Sequence, residues 1–208
     1  MAKITFEDKQ AVRASLELPK NKLLASDLNE IKASVNALYD SGSGAIANTF
    51  GWAIYSDSAA TSQTIGTTPV KLLVNGLGSA TNTTYKPTGY VGEMWDTANN
   101  KILAETVGDA FDLRLDLTIS AKASNPNRIT MKLDIGGGAS PSVVIVERDN
   151  TVQKTTPFTI DIGIPIFSLD TFVANGGQIF LEVDTGTVTV TNRSVFLKRD
   201  FSPPLQGA

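Results

Sequence analysis

The chain contains no cysteine and no histidine in 208 residues. Without cysteine there is no disulfide and no thiolate nucleophile, so stability rests on packing and the redox compartment leaves no trace. Without histidine, the usual base beside a serine or threonine nucleophile is missing and zinc loses its other common ligand. A Ser/Lys pair stays formally open, but no motif around any serine recommends it. Long apolar runs are missing too: "VVIV" at 143–146 is the longest strongly apolar run, far short of the roughly 20 residues a membrane span needs. The opening "MAKITFEDKQ" has scattered charges and no apolar h-region, so it does not read as a secretory signal, and the chain is expected to be made in soluble form.

Positive charge is also scarce. Eighteen Lys and Arg stand against 21 Asp and Glu, with a pI near 5.0. Residues 1–44 hold six of each sign and the remainder twelve against fifteen, so neither part is a basic arm. Tracking nucleic-acid phosphates requires concentrated Lys and Arg. Neither nucleic acid nor membrane insertion is therefore expected. What the chain does have is 41% hydrophobic against 19% charged residues, enough to bury a core and too apolar for a disordered chain.

Residues 24–38 carry apolar side chains at Leu24, Leu28, Ile31, Val35 and Leu38, spaced 4, 3, 4, 3. That is a heptad seam; Ser26 or Asp27 can cap its start, and "SGSG" at 41–44 ends it. Leu28 and Val35 at a, with Leu24, Ile31 and Leu38 at d, lean toward three or four strands. A helix of about 15 residues is marginal alone, so it needs a partner surface, either its own β domain or other copies. "SGSGAIANTFG" reads as a connector, which gives residues 1–44 as an anchor with a short helix and 45–208 as a β domain.

From Trp52 onward the period is two. In "DAFDLRLDLTISAK", Phe111, Leu113, Leu115, Leu117, Ile119 and Ala121 point one way, and Asp112, Arg114, Asp116, Thr118, Ser120 and Lys122 the other. "NPNR" turns the chain, and Ile129, Met131, Leu133 and Ile135 continue the alternation. Further strands are predicted near 51–56, 69–74, 88–95, 101–104, 142–148, 156–162, 178–184 and 187–199, separated by turn clusters, with no ten-residue helical pattern between them. Strands without crossover helices mean antiparallel sheets, closed into a sandwich or jelly roll.

Candidate chemistry is thin. Asp112 and Asp116 share a strand face with Arg114 between them, which reads better as a solvated, charge-balanced face than as a glycosidase pair. Glu93 and Asp96 flank Trp95, as acids flank a sugar platform, although a tryptophan is also at home in a core or an interface. "ERDN" at 147–150 reads as a polar turn at a strand end. Gly136 to Gly138 form no phosphate loop, because no helix start or Lys-Ser/Thr follows. "DTANN", "ERDN" and "DTGT" lack calcium-loop spacing, and the sequons at Asn82 and Asn192 carry little without a secretory signal. No catalytic residue, metal or cofactor is expected. Trp95, Tyr85 and Tyr90, with Trp52, are the candidate surface-binding aromatics. The run "IGIPIFSLDTFVANGG" carries Ile164, Ile166, Phe167 and Phe172; it is too apolar for an ordinary loop and is expected to be buried in its own core or against a neighbouring copy.

The segments "VGDAFDLRLDLTISAKASNPNRITMKLDIGG" and "PIFSLDTFVANGGQIFLEVDTGTVTVTNRSVFLKR" resemble the trimeric, tumour-necrosis-factor-like jelly-roll tips of bacteriophage head fibres and tail fibres. "NKLLASDLNEIKASVNALYD" is similar to the short helix that precedes such domains. The resemblance implies a mainly β, antiparallel jelly-roll sandwich behind a short N-terminal α-helix, assembled as a homotrimer in the virion. Residues 1–20 would hold other virion proteins, and the tips would meet a glycan or another host surface. The lack of repeats and of a long shaft favours a small fibre or capsid decoration. The alternative from the residues alone is a carbohydrate-binding β-sandwich.

Overall fold

The structure is a computed structural model that describes residues 32–33, 50–57, 61–88 and 90–203. The chain divides into two units, Met1–Ala47 and Asn48–Ala208. In the first, Lys32 and Ala33 are helical; Leu24, Leu28, Ile31, Val35 and Leu38 lie outside the described residues.

The second unit is mainly β. Its strands among the described residues are β1 (Gly51–Ser56), β2 (Gln63–Ile65), β3 (Val70–Lys71), β4 (Trp95–Asp96), β5 (Lys101–Ile102), β6 (Ala110–Ala123), β7 (Arg128–Asp134), β8 (Val144–Thr151), β9 (Phe158–Phe167), β10 (Gln178–Val183) and β11 (Thr187–Phe201). One helix, α1 (Asp170–Asn175), lies between β9 and β10. The first sheet runs β1-β11-β6-β9, with β2 also on β11; the second runs β3-β10-β7-β8; β4 and β5 form a separate pair. All pairings are antiparallel. Setting aside β2, which only flanks β11, and the separate β4–β5 pair, the other eight strands pair first with last, second with seventh, third with sixth and fourth with fifth. A single antiparallel ribbon wound around two sheets in this way is a jelly roll.

Alternation is what places the core between the sheets. On β6, Phe111, Leu113, Leu115, Leu117 and Ile119 are buried, and on β9 Phe158, Ile160, Ile162, Ile164 and Ile166 are buried opposite them. Ile129, Met131 and Leu133 of β7 and Ile179, Leu181 and Val183 of β10 close the other side. Each such side chain contributes about 1.5–3 kcal/mol when it leaves water. Pro165 sits on β9, an edge strand of the first sheet, where a missing N–H costs little.

Several expectations are corrected. "ERDN" lies within β8 rather than in a turn, with Glu147 opposite Lys132 and Asp149 opposite Thr130, whose hydroxyl donates to Asp149 at 2.6 Å. Ala121, near the end of β6, is exposed because the core has ended there. Most of 88–95 is loop, and β2 and α1 were not expected at all. In α1 a buried Phe172 pins one short turn of helix onto the core. Gly176 leaves it at φ 77°, a left-handed backbone that glycine adopts without cost. The 136–143 loop is organised by the buried Asp134 carboxylate, which accepts from the N–H groups of Gly136, Ser142 and Val143 at 3.0, 2.7 and 2.5 Å.

Ile166→Ala is expected to destabilise the fold by about 2–5 kcal/mol, the range for truncating a fully enclosed aliphatic side chain. Urea unfolding followed by circular dichroism measures it. A loss below about 0.5 kcal/mol would mean that β9 does not face the core.

Candidate functional site

The outward face of the first sheet follows from strand register. Because paired residues project to the same side, Trp52, Lys198, Asp112 and Pro165 form one row, and Ile54, Phe196, Arg114 and Gly163 the next. The β1 flank of this face is aromatic. Trp52 stacks on Tyr85 with ring centroids 4.8 Å apart, and Phe196 approaches Trp52 at 5.7 Å. Tyr85 comes from a loop that runs along the free edge of β1. Trp52 N–H donates to the Tyr85 carbonyl at 2.8 Å, and Ile54 and Asn82 exchange both backbone hydrogen bonds at 2.9 Å. The loop thereby covers an edge that would otherwise be free to pair with another chain. Gly51 permits the approach: a Cβ there would lie 2.5 Å from Pro87 N and 2.6 Å from the Tyr85 carbonyl oxygen.

A strip of paired charges crosses the middle of the face. Arg114 Nε lies 3.2 Å from both Asp116 Oδ1 and Asp161 Oδ1, and these two acids hold its guanidinium above its ordinary pKa. The expected balance is corrected in one respect: Arg114 bridges Asp116 and Asp161, while Asp112 faces Asp200 and Lys198. Burial and then the hydrogen bond shared with Asp200 push the Asp112 carboxyl up, and Lys198 Nζ, 2.5 Å from Asp200 Oδ1, holds Asp200 down.

Across one end of the face runs an apolar belt, from Phe201 on β11, next to β1, to Phe167 on β9. Phe201, Ala110 and Phe167 form one outward row, and Phe167 and Leu169 are 67% and 65% exposed. Val143, Val144 and Ile145 extend the belt along the start of β8 and just before it. A hollow of about 200 Å³ between Ile145, Pro165, Phe167 and Leu169 has Ile135 and Phe172 in its lining. The apolar run of 162–177 therefore divides: Ile164, Ile166 and Phe172 are core, and Phe167 is surface.

Of the aromatics expected at a binding surface, Tyr85 is exposed and Trp52 half-buried, while the other two are corrected. Trp95 is fully buried, its indole N–H donating to the Val74 carbonyl at 3.1 Å. Tyr90 is buried beneath the Arg199 guanidinium, 5.2 Å from its ring, and donates to the Leu103 carbonyl at 2.6 Å. Burial pushes the Tyr90 hydroxyl pKa far up. Neither ring offers a face to a ligand. Phe50, 58% exposed beside Trp52, belongs by composition to the connector. Its position next to the first alternating residues of β1 was the available signal. Among the described residues, no cluster of three or more Asp, Glu, His or Cys could hold a metal ion, and no helix is long and apolar enough to cross a membrane.

No protein-family model and no curated protein matches the chain. Among solved structures it is similar to Eiger TNF from S. frugiperda, at 10% identity and a TM-score of 0.41, over 76% of this chain and 99% of that one. It is also similar to the cryo-EM atomic structure of Broad Bean Stain Virus, at 9% identity and a TM-score of 0.27, over 74% and 85%. The jelly-roll assignment stands on the strand order, independently of both.

Two predictions follow from this geometry. Gly51→Ala is expected to displace the 82–87 loop and separate Tyr85 from Trp52, seen as a red shift and loss of intensity in the exposed component of tryptophan emission; an unchanged spectrum would show that the loop can absorb the methyl. For Asp112, whose folded pKa is raised, the folded state binds the extra proton just above the ordinary carboxylate range near pH 4, so its contribution falls as pH rises through that window. Asp112→Asn should therefore gain stability relative to the parent between about pH 4 and pH 7. Paired denaturation curves at the two pH values check the sign.

Proposed function

We propose that the chain is a non-enzymatic structural protein of a bacteriophage virion, a homotrimeric head fibre or small fibre tip that adheres to host or environmental surfaces. Residues 1–20 hold it to other virion proteins, and it is assembled in the host cytoplasm. The observation that carries the reading is the exposed belt of Phe167, Leu169, Val144 and Ile145 at the β8 and β9 edges of the jelly roll. Side chains this apolar, grouped on a surface, mark an interface. The belt borders β8 and β9, which end their sheets with one side unpaired. Around a threefold axis the belt of each protomer would meet a different surface of the next, away from Trp52 and Tyr85; such heterologous contact forms a ring where the rotation closes. The heptads add to this: jelly rolls joined to the same three helices raise the effective concentration of each, so two marginal heptads suffice as a neck.

The second reading is a monomeric carbohydrate-binding sandwich. The exposed Tyr85 stacked on a half-buried Trp52 favours it, whereas the burial of Trp95 and Tyr90 removes half of the platform it was built on.

Light scattering after gel filtration decides between them. The full chain is expected to have the mass of a trimer, as is a chain beginning at Ala45; a trimer lost on that truncation would make the heptads decisive, and monomers throughout would sink the fibre reading. Phe167→Asp is expected to keep the circular dichroism of the parent, because the ring is exposed in one protomer, and to lose the trimer. A trimer that tolerates the carboxylate would remove the belt from the interface.

A further inference from the structure

We infer that the cleft beside Trp52 and Tyr85 is a subsite for a neutral pyranose of a surface glycan. The inference specifies the adhesion proposed above, and it does not need three copies, because the cleft is complete within one protomer.

The cleft has a volume of about 450 Å³ and lies between Phe50, Trp52, Tyr85, Thr84, Thr88 and Lys198. Its aromatic side is fixed before any ligand arrives. Trp52 is held on a strand and stacked on Tyr85, and the Tyr85 backbone is hydrogen-bonded to β1. Little ordering remains to be done on binding, which is the condition under which a small contact area gives measurable affinity. The exposed rings of Tyr85 and Phe50, with the half-buried Trp52 between them and the sheet, offer an apolar surface for the C–H face of a sugar ring.

The charges on the rim select among ligands. Lys86 Nζ is 2.9 Å from Glu93 Oε1 and donates to the Gly92 carbonyl at 2.5 Å. Lys198 Nζ is 2.5 Å from Asp200 Oδ1. Both ammonium groups next to the cleft are thus neutralised by their own carboxylates. An anionic sugar would find no uncompensated cation and would be repelled by Glu93 and Asp200. A purely hydrocarbon ligand would strip water from two threonine hydroxyls and two ion pairs without replacing those hydrogen bonds. Sugar hydroxyls donate and accept, so they can satisfy the ammonium protons, the carboxylate oxygens and the threonines together. An apolar floor with a rim whose two ammonium groups are each paired to a carboxylate fits a neutral hexose.

The two tryptophans make the test direct. Trp95 is fully enclosed, so a ligand-dependent change in emission reports Trp52. The full chain, in its own oligomeric state, is titrated with cellohexaose, galactan and mannan oligosaccharides, and with oligogalacturonate as the anionic counterpart. At least one neutral oligosaccharide is expected to change Trp52 emission saturably and to be insensitive to salt up to about 0.5 M, where long-range charge attraction is screened. Tyr85→Ala should weaken that binding by about tenfold, or about 1.4 kcal/mol, and Tyr85→Phe should retain it. In Trp52→Ala, calorimetry in place of fluorescence should find no binding. Saturation by oligogalacturonate alone, or no saturation by any neutral oligosaccharide, would overturn the inference. So would a Trp52→Ala chain that falls from trimer to monomer, since the platform would then belong to a second copy. The mass measured on each sample separates failure of the trimer from failure of the sugar site.

Discussion

The register of β6 between β11 and β9 is the constraint on which the rest of the structure depends. With a side-chain period of two, a slip of one residue would send Phe111, Leu113, Leu115, Leu117 and Ile119 to the outside and Asp112, Arg114 and Asp116 into the core. Burying three charges in that way is prohibitive beside the loss of five apolar contacts. The same register passes sideways through the sheet. Fixing Asp112 opposite Lys198 also fixes Trp52 beside Lys198, and fixing Ala110 opposite Phe167 puts Phe201 and Phe167 in one row. Both surface features discussed above are therefore consequences of one alignment that the core enforces.

Two buried arginines show how β11 reconciles that alignment with its own sequence. Arg199 faces inward, where a long cation is costly unless paired. It is paired with Asp109, at 2.7 Å, and Glu105, at 3.1 Å, and lies against the Tyr90 ring. Arg193 is buried against Asp57, and donates to Gln63 Oε1 at 3.2 Å and Thr61 Oγ1 at 2.9 Å. In each case the acid comes from a loop that precedes a different strand or follows one. The ion pairs thus tie irregular chain to the regular sheet at two points along β11. Removing one partner would leave a buried charge, which makes these positions stricter than the hydrophobic ones around them.

What could be read from the sequence follows from how local each signal is. The bounds expected for β1, 51–56, coincide with the strand, and the alternation of β6 gave its inward set up to Ile119. Strand alternation needs only neighbours a few residues apart. Helix α1 has six residues, too few for a period of 3.6 to register, and is held by the single buried ring of Phe172. The three-residue β2 owes its existence to pairing with Val188, Thr189 and Val190, more than a hundred positions away. Trp95 and Tyr90 fail for the same reason. Tyr90 lies among turns and Trp95 in a two-residue strand, where no periodicity says which way a ring points, and their burial depends on Val74, Leu103 and Arg199. Tyr85 is equally nonlocal, but its loop is zipped to an edge strand, so one side of the ring is covered and the other is left to solvent.

The division of the first sheet's outer face has a physical consequence of its own. Lys198, Asp112, Arg114, Asp116 and Asp161 lie between Trp52 on β1 and Phe167 on β9, with Lys198 paired to Asp200 and Arg114 to Asp116 and Asp161, whereas Phe201 lies on β11, next to β1. Flat stacking of two such faces would desolvate those pairs for little return, because exposed ion pairs contribute at most about 1 kcal/mol each. Contact limited to the belt avoids that cost, since it covers Phe167 and Leu169 and leaves the strip wet. Lys198 and Asp112 stand between Trp52 and Phe167, so contact restricted to the β8 and β9 edges would leave the cleft uncovered. A single strand register thereby yields two separable surfaces, one apolar enough to associate and one with the balanced polarity that a sugar requires.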